Sequence, residues 1–216
     1  MKIGIVMSTG TSCQKLEELG ALSRSLKCYG ALSKRVGSSS ILFTYTRDLS
    51  TEESLLGVYK NAFSLNPVGI IGFFQKFRYA DLINSYIHPF LSRKETTRCD
   101  LYRSMQIPGS WLARSLAKLH GVPFVLRAGY LRSDSVGQVK RNHFYGMLLR
   151  KWILQKEKML CRRAKAIIVS ASNIKMSMIA KHGISAEKIF VIGTPVDTSL
   201  FKPHKEIPLE ADVLMI

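Results

Sequence analysis

A chain of 216 residues and 24.3 kDa, 46% hydrophobic and 22% charged, has the make-up of one large α/β domain or two small ones, which excludes disordered, collagenous and coiled-coil readings. Its 32 Lys and Arg against 15 Asp and Glu leave a net charge of +17, an excess that points to an anionic partner: nucleic acid, anionic lipid or a phosphorylated substrate. No apolar run reaches the roughly 18–20 residues of a membrane span, and Cys13, Cys28, Cys99 and Cys161 are too scattered for a disulfide framework or a zinc site, so no metal is expected.

In chain order, Lys2 to Val6 reads as a buried strand whose apolar run is too short for a signal peptide, and a cytoplasmic chain is expected. The small residues of the next loop, with Thr9, Gly10 and Thr11 as candidate substrate contacts, suit close approach of a phosphate or sugar to the backbone. The loop is neither GxGxxG nor GxxxxGK[ST], which disfavours a nicotinamide enzyme. Leu19, Leu22, Leu26, Tyr29, Leu32 and Val36 then recur every three or four residues, with Arg24, Lys27, Lys34 and Arg35 opposite, predicting one crossover helix closed by Gly37.

A strand is predicted from Ser40 to Thr46, two short helices between Asp48 and Tyr79, and a third strand from Asp81 to Tyr86. His88 would then follow a strand, as a ligand contact, a base or a structural histidine. The fourth predicted strand, Asp100 to Met105, carries Arg103 and delivers Gln106 and the loop Pro108 to Trp111. The fifth, Pro123 to Arg127, ends in a guanidinium beside Gly129 and Tyr130, an arrangement suited to a phosphate or carboxylate; a structural ion pair is the alternative.

From Phe144 to Arg163 a long helix is predicted to bury Tyr145, Leu148, Leu149, Trp152, Met159 and Leu160 and to present Arg150, Lys151, Lys158 and Arg162. Leu154 falls within that charged face, as on a helix resting on anionic lipid headgroups, and Arg132 to Lys165 has a local net charge of +8. With no RNP or helix-turn-helix motif, nucleic acid is not expected. A strand from Lys165 to Ser170, a helix from Ser172 to Lys181 with Ser172 as its cap and Gly183 past its end, and a strand from Ile189 to Ile192 complete the alternation. Together they predict an α/β fold, a doubly wound, mostly parallel Rossmann-like sheet. The Pro-containing stretch Phe201 to Glu210 reads as a linker and Ala211 to Ile216 as a strand, so residues 1–203 are expected to be one domain and 204–216 the link to, and first strand of, a second.

The run Ala164 to Lys175, then Lys181 to Ile192, then Val196 to Pro203, resembles family-4 glycosyltransferases, whose equivalent stretch closes the N-terminal half of a GT-B fold. Ala80 to His88 is similar to that family's third-strand motif, and Gly121 to Leu126 to a later strand. The resemblance implies an N-terminal, acceptor-binding domain of an enzyme moving a sugar, with retention, from a nucleotide-sugar donor to a saccharide or lipid-linked saccharide. The setting implied is envelope or exported polysaccharide synthesis at the inner face of an anionic membrane. The missing half would hold the donor, leaving this chain catalytically incomplete, and no cofactor beyond the donor substrate is implied. Many members carry a histidine where this chain has Gly129, which leaves His88, Arg127 or Tyr130 as candidate catalytic groups. The competing reading is a non-catalytic Rossmann-like module binding anionic lipid or nucleic acid, and a third is an epimerase or phosphorylase of similar architecture.

Overall fold

The computed structural model describes residues 1–59, 62–68, 80–91, 98–136 and 143–195. Among them, seven strands form one wholly parallel sheet in the order β3-β2-β1-β4-β5-β6-β7. These are β1 (Lys2–Val6), β2 (Ser39–Thr44), β3 (Phe63–Pro67), β4 (Leu101–Ser104), β5 (Phe124–Ala128), β6 (Ala166–Val169) and β7 (Ile189–Val191). The helices are α1 (Cys13–Glu18), α2 (Leu22–Val36), α3 (Leu49–Leu55), α4 (Ala80–Leu91), α5 (Ser110–His120), α6 (Arg132–Val136), α7 (His143–Arg163) and α8 (Ser172–His182). The doubly wound Rossmann-like expectation stands. Strands β1 and β2 are near-continuous in Ile, Val, Leu and Phe because both of their faces are covered.

The order of winding reverses between β1 and β4. Helices α5, α7 and α8 pack on one face over Tyr102, Leu126, Ile167 and Val169. On the other, Leu22, Leu26 and Tyr29 of α2 pack over Ile3, Ile5 and Leu42. That second cover stops short of the right-hand strands. Tyr102 itself lies so close over Gly4 that a Cβ there would sit 2.5 Å from the ring.

Several sequence expectations are corrected. Asp81 to Tyr86 is not a strand but the first half of α4: its buried positions Ala80, Asn84, Ser85 and His88 follow a helical period, and β4 fills the place in the sheet that the family likeness gave to this segment. Among its described residues, the stretch Asp48 to Tyr79 holds one α-helix, capped by the Asp48 carboxylate accepting from the Ser50 and Thr51 N–H groups, one 3-10 turn (Gly57–Tyr59), and then edge strand β3, whose Asn66 and Pro67 disguise it. The first crossover helix is split at Gly20 (φ +61°), leaving Leu19, Leu32 and Val36 exposed. In α8, Ser172 is the first helical residue; Ala171 takes the cap position without a side-chain bond. Along α7, Leu148 and Trp152 face outward, and the buried face is Ile153, Glu157, Leu160 and Cys161. Gly37 and Gly183 end their helices in the left-handed region as expected. The side chains of Tyr145 and Leu149, and residues 196–216 with the predicted linker and final strand, lie outside the described residues.

Candidate functional site

A parallel sheet binds ligands beyond the carboxyl ends of its strands, at the point where the winding reverses. Here that point is the β1/β4 boundary, and a crevice of about 650 Å³ opens beside it, in the notch between α1, α2 and the part of the sheet that α2 does not cover. Its floor is set by strand parity. Arg103 on β4 stands opposite Val125, and Arg127, two residues further along β5, stands opposite Ile168 of β6, so both guanidiniums and Ile168 rise from the same face. Lys15 and Arg24 add charge at the rim, while Leu16, Tyr29 and Ile192 are among its apolar walls. No Asp or Glu lines the crevice among the described residues.

The two floor arginines are held differently. The Arg103 guanidinium stacks 4.8 Å from the centre of the Tyr29 ring, and its Nε is buried with no hydrogen-bond partner. Burial lowers the pKa of Arg103, Tyr29 opposes the shift, and the nearby charge of Arg127 adds to it. The Arg127 side chain donates through Nη1 to the Met105 carbonyl (3.2 Å), and its backbone N–H donates to the Ser104 hydroxyl (3.1 Å). Two fixed cations in an enclosed site with no acid beside them are a place for an anion.

Loops behind the crevice fix its rim. The Thr9 hydroxyl donates to the Pro108 carbonyl (2.7 Å), tying the first loop to the turn after β4. At Gly109 the two backbones approach so closely that a Cβ would lie 2.3 Å from the Met7 carbonyl oxygen. Gly10 (φ +75°) packs against the Asp81 carboxylate. Fully buried Glu52 accepts the Gln14 N–H (3.1 Å) and the Thr44 hydroxyl (2.9 Å), so α3 anchors the start of α1; burial, with Glu52 beside it, raises the pKa of the Cys13 thiol. On the other side Gln106 accepts the Gly129 N–H (2.8 Å). Buried Glu157 accepts the N–H groups of Arg132 (2.8 Å) and Ser133 (3.3 Å), with His182 Nε2 3.6 Å from its second oxygen, and so fixes α6 behind the β5 loop.

The candidates named from sequence therefore divide. Thr11, Arg103, Gln106 and Arg127 meet around the crevice; Thr9, Gly10 and Gly129 shape the loops behind it. Tyr130 is half exposed in the β5–α6 loop and does not line the crevice. His88 is buried in α4 on the opposite face of the sheet, its ring edge toward Phe43 (6.4 Å), and burial lowers its pKa to about 4. Of the proposed membrane-surface group, Arg150, Lys151 and Arg162 are exposed, while Leu154 and Lys158 are half-buried. Sequence reasoning missed Ser8, Lys15 and Tyr29 as crevice residues. Tyr29 was visible as a helix-stripe residue and Arg103 as a strand residue, but the contact between them was not. Among the described residues no three His, Cys, Asp or Glu come together, and no helix is long and apolar enough to cross a membrane.

Fold and crevice define a Rossmann-like ligand-binding domain with a cationic site at its topological switch point. The profile of Glycosyltransferase Family 4 matches residues 35–200, and the chain belongs to that family. Solved structures agree on the fold. HepE of Anabaena in complex with UDP and glucose aligns with 95% of this chain at a TM-score of 0.58 and 14% identity. Sucrose-phosphate synthase of Thermosynechococcus elongatus aligns with 94% at 0.62 and 14% identity. A glycosyltransferase of Rickettsia africae aligns with 96% at 0.52 and 15% identity. The chain spans about half the length of each, 47%, 51% and 46% respectively. No curated protein matches the sequence.

Proposed function

We propose that this chain is the acceptor-side domain, residues 1–203, of a glycosyltransferase that moves a sugar from a nucleotide-sugar donor to an acceptor, with the following residues leading to a donor-binding half. The observation that carries the reading is the acid-free Arg103–Arg127 crevice at the switch point of a family-4 chain. In support, HepE has been solved with UDP-glucose. Displacement at the anomeric carbon leaves a nucleoside diphosphate, so negative charge develops as the bond breaks. Fixed guanidiniums near an anionic acceptor or leaving group stabilise that charge without reorganising. We further assign the reaction retention of anomeric configuration and place it in envelope or exported polysaccharide synthesis at the cytoplasmic face of a membrane. The +17 charge and the cationic crevice with apolar walls support a lipid-linked, phosphate-bearing acceptor.

The test uses farnesyl phosphate as an amphiphilic probe of the crevice. Arg103→Met and Arg127→Met are each expected to weaken its binding about tenfold or more, as loss of a charge-assisted pair does, while glucose without phosphate binds poorly to all three proteins. Binding by both variants as tight as by the unaltered chain would remove the crevice from the reaction. In a protein that includes the donor-binding half, release of UDP from UDP-glucose only when acceptor is present would separate a transferase from an epimerase, and the anomeric proton coupling of the product reports retention.

A further inference from the structure

The outer surface of α4, α5 and α7 is unlike the rest of the molecule. On α4 the exposed residues Ile83, Tyr86, Ile87 and Phe90 fall at i, i+3, i+4 and i+7, an apolar stripe turned outward, with Phe90 76% exposed. Tyr86 meets Trp111 of α5 (ring centroids 5.0 Å apart), and Lys156 of α7 lies 4.8 Å from Trp111 and 5.4 Å from Trp152. Trp152 is 57% exposed, with Met147 and Leu148 exposed on the same helix. The stripe thus runs without a break from α4 across α5 to α7, as a layer of aromatic and aliphatic side chains interleaved with cations. Isolated exposed apolar residues are ordinary; a connected surface of them marks a binding face.

Charge selects the occupant. Helices α5 and α7 carry eight Lys and Arg. The three helices hold only two acids, Asp81, which faces the Gly10 loop at the start of α4, and Glu157, which is buried under α7. An outward face with cations, aromatic rings and aliphatic tips, on helices whose two carboxylates are the half-buried Asp81 and the buried Glu157, complements a surface that is anionic at its top and apolar a few ångströms down. Nucleic acid would satisfy the cations and rings but leave Ile83, Ile87, Met147 and Leu148 unmatched.

We propose that the α4–α5–α7 face docks on an anionic lipid bilayer, with Phe90 and Trp152 inserted at headgroup level and the α7 cations over lipid phosphates. This rests on the reading of the chain as a membrane-surface enzyme and moves the contact from Leu154 to the two exposed rings. Asp81, in the first turn of α4, lies beside Gly10, so the start of the docking helix adjoins the first loop at the carboxyl end of the sheet.

The test is co-sedimentation of the chain with vesicles of phosphatidylglycerol and phosphatidylcholine, against phosphatidylcholine alone. The F90S/W152S double variant is expected to lose about tenfold or more in affinity, two partly inserted side chains being worth at least that. Phe190→Ser, an exposed ring on β7, should stay within twofold, and thermal unfolding of all three should match. With Trp111→Phe, brominated lipid should quench Trp152. No binding to anionic vesicles by the unaltered chain would overturn both the membrane reading and this face. Salt-sensitive binding that the double variant retains would overturn the face alone, and tighter, variant-sensitive binding to single-stranded RNA than to vesicles would overturn the bilayer as occupant.

Discussion

Neighbouring residues on β5 live in different surroundings. Phe124, Leu126 and Ala128 are buried under α5, α7 and α8, while Val125 and Arg127, pointing the other way, are only half covered because α2 does not reach them. On β1 and β2 the same alternation disappears, since Ile5 and Val6, or Leu42 and Phe43, are buried whichever way they point. The contrast locates the site: a doubly wound sheet with one face incompletely clothed leaves a notch at its switch point, and there alone could two unpaired guanidiniums stand on the sheet. A charge buried under a full cover has to be solvated by the protein, as the buried carboxylates Glu52 and Glu157 are, by hydrogen bonds from hydroxyl and backbone N–H groups.

The largest effect expected from this contrast is on stability. Leu126→Ala should cost about 2–5 kcal/mol in urea unfolding, transfer plus cavity, and Val125→Ala about 1 kcal/mol; equal costs would break the distinction between the faces. Next is pH. His88, buried on the covered face with its pKa lowered to about 4 from 6.5, stays neutral in the folded protein while the unfolded chain takes up a proton. The stability it preserves is complete above about pH 6.5 and is lost as pH falls toward 4, in total about 3 kcal/mol. His88→Leu should flatten that part of the urea-midpoint profile, and an unchanged slope would show that folding leaves the histidine's pKa where it is in the unfolded chain. Smaller still, Arg103→Met should leave stability within about 1 kcal/mol, the lost ring contact being offset by relief of repulsion with Arg127. A larger loss would make Arg103 a structural cation rather than a ligand group. The least effect, within about 0.5 kcal/mol, is expected for Phe190→Ser on the bare side of β7.

Much of this architecture was legible because long apolar runs such as Ile41 to Phe43 and Ile167 to Val169 have no other way to be buried. Strands β1, β2 and β4 to β7 and helices α2, α7 and α8 followed, with ends displaced by one to three residues, whereas β3, α1, α5 and α6 did not. Two failures have a common cause. The inner face of α4 is Ala80, Asn84, Ser85 and His88, too small and polar to announce a helix, and its outer face is apolar, so hydrophobicity pointed the wrong way. On α7 the same inversion buried Glu157 and exposed Trp152. A period can be read from sequence; which side of it meets the sheet cannot, when the apolar residues stand outside. In the crevice, Arg103 and Arg127 were identifiable as strand-end cations, but their common face depended on the register between β4 and β5. Their freedom from carboxylates depended on what α2 brought over them.

The position of β1 has a consequence for how the chain is made. Strand β1 pairs with β2 on one side and β4 on the other, and its Lys2 N–H donates to the Asp100 carboxylate (2.8 Å), close to the later of these two partners. Since β4 ends at Ser104, about a hundred residues must leave the ribosome before β1 gains its second neighbour. At about 5–20 residues per second that is roughly 5–20 s with an Ile- and Val-rich edge open to whatever is near. Chaperone engagement of nascent β1, ending as β4 emerges, is the timing this strand order imposes.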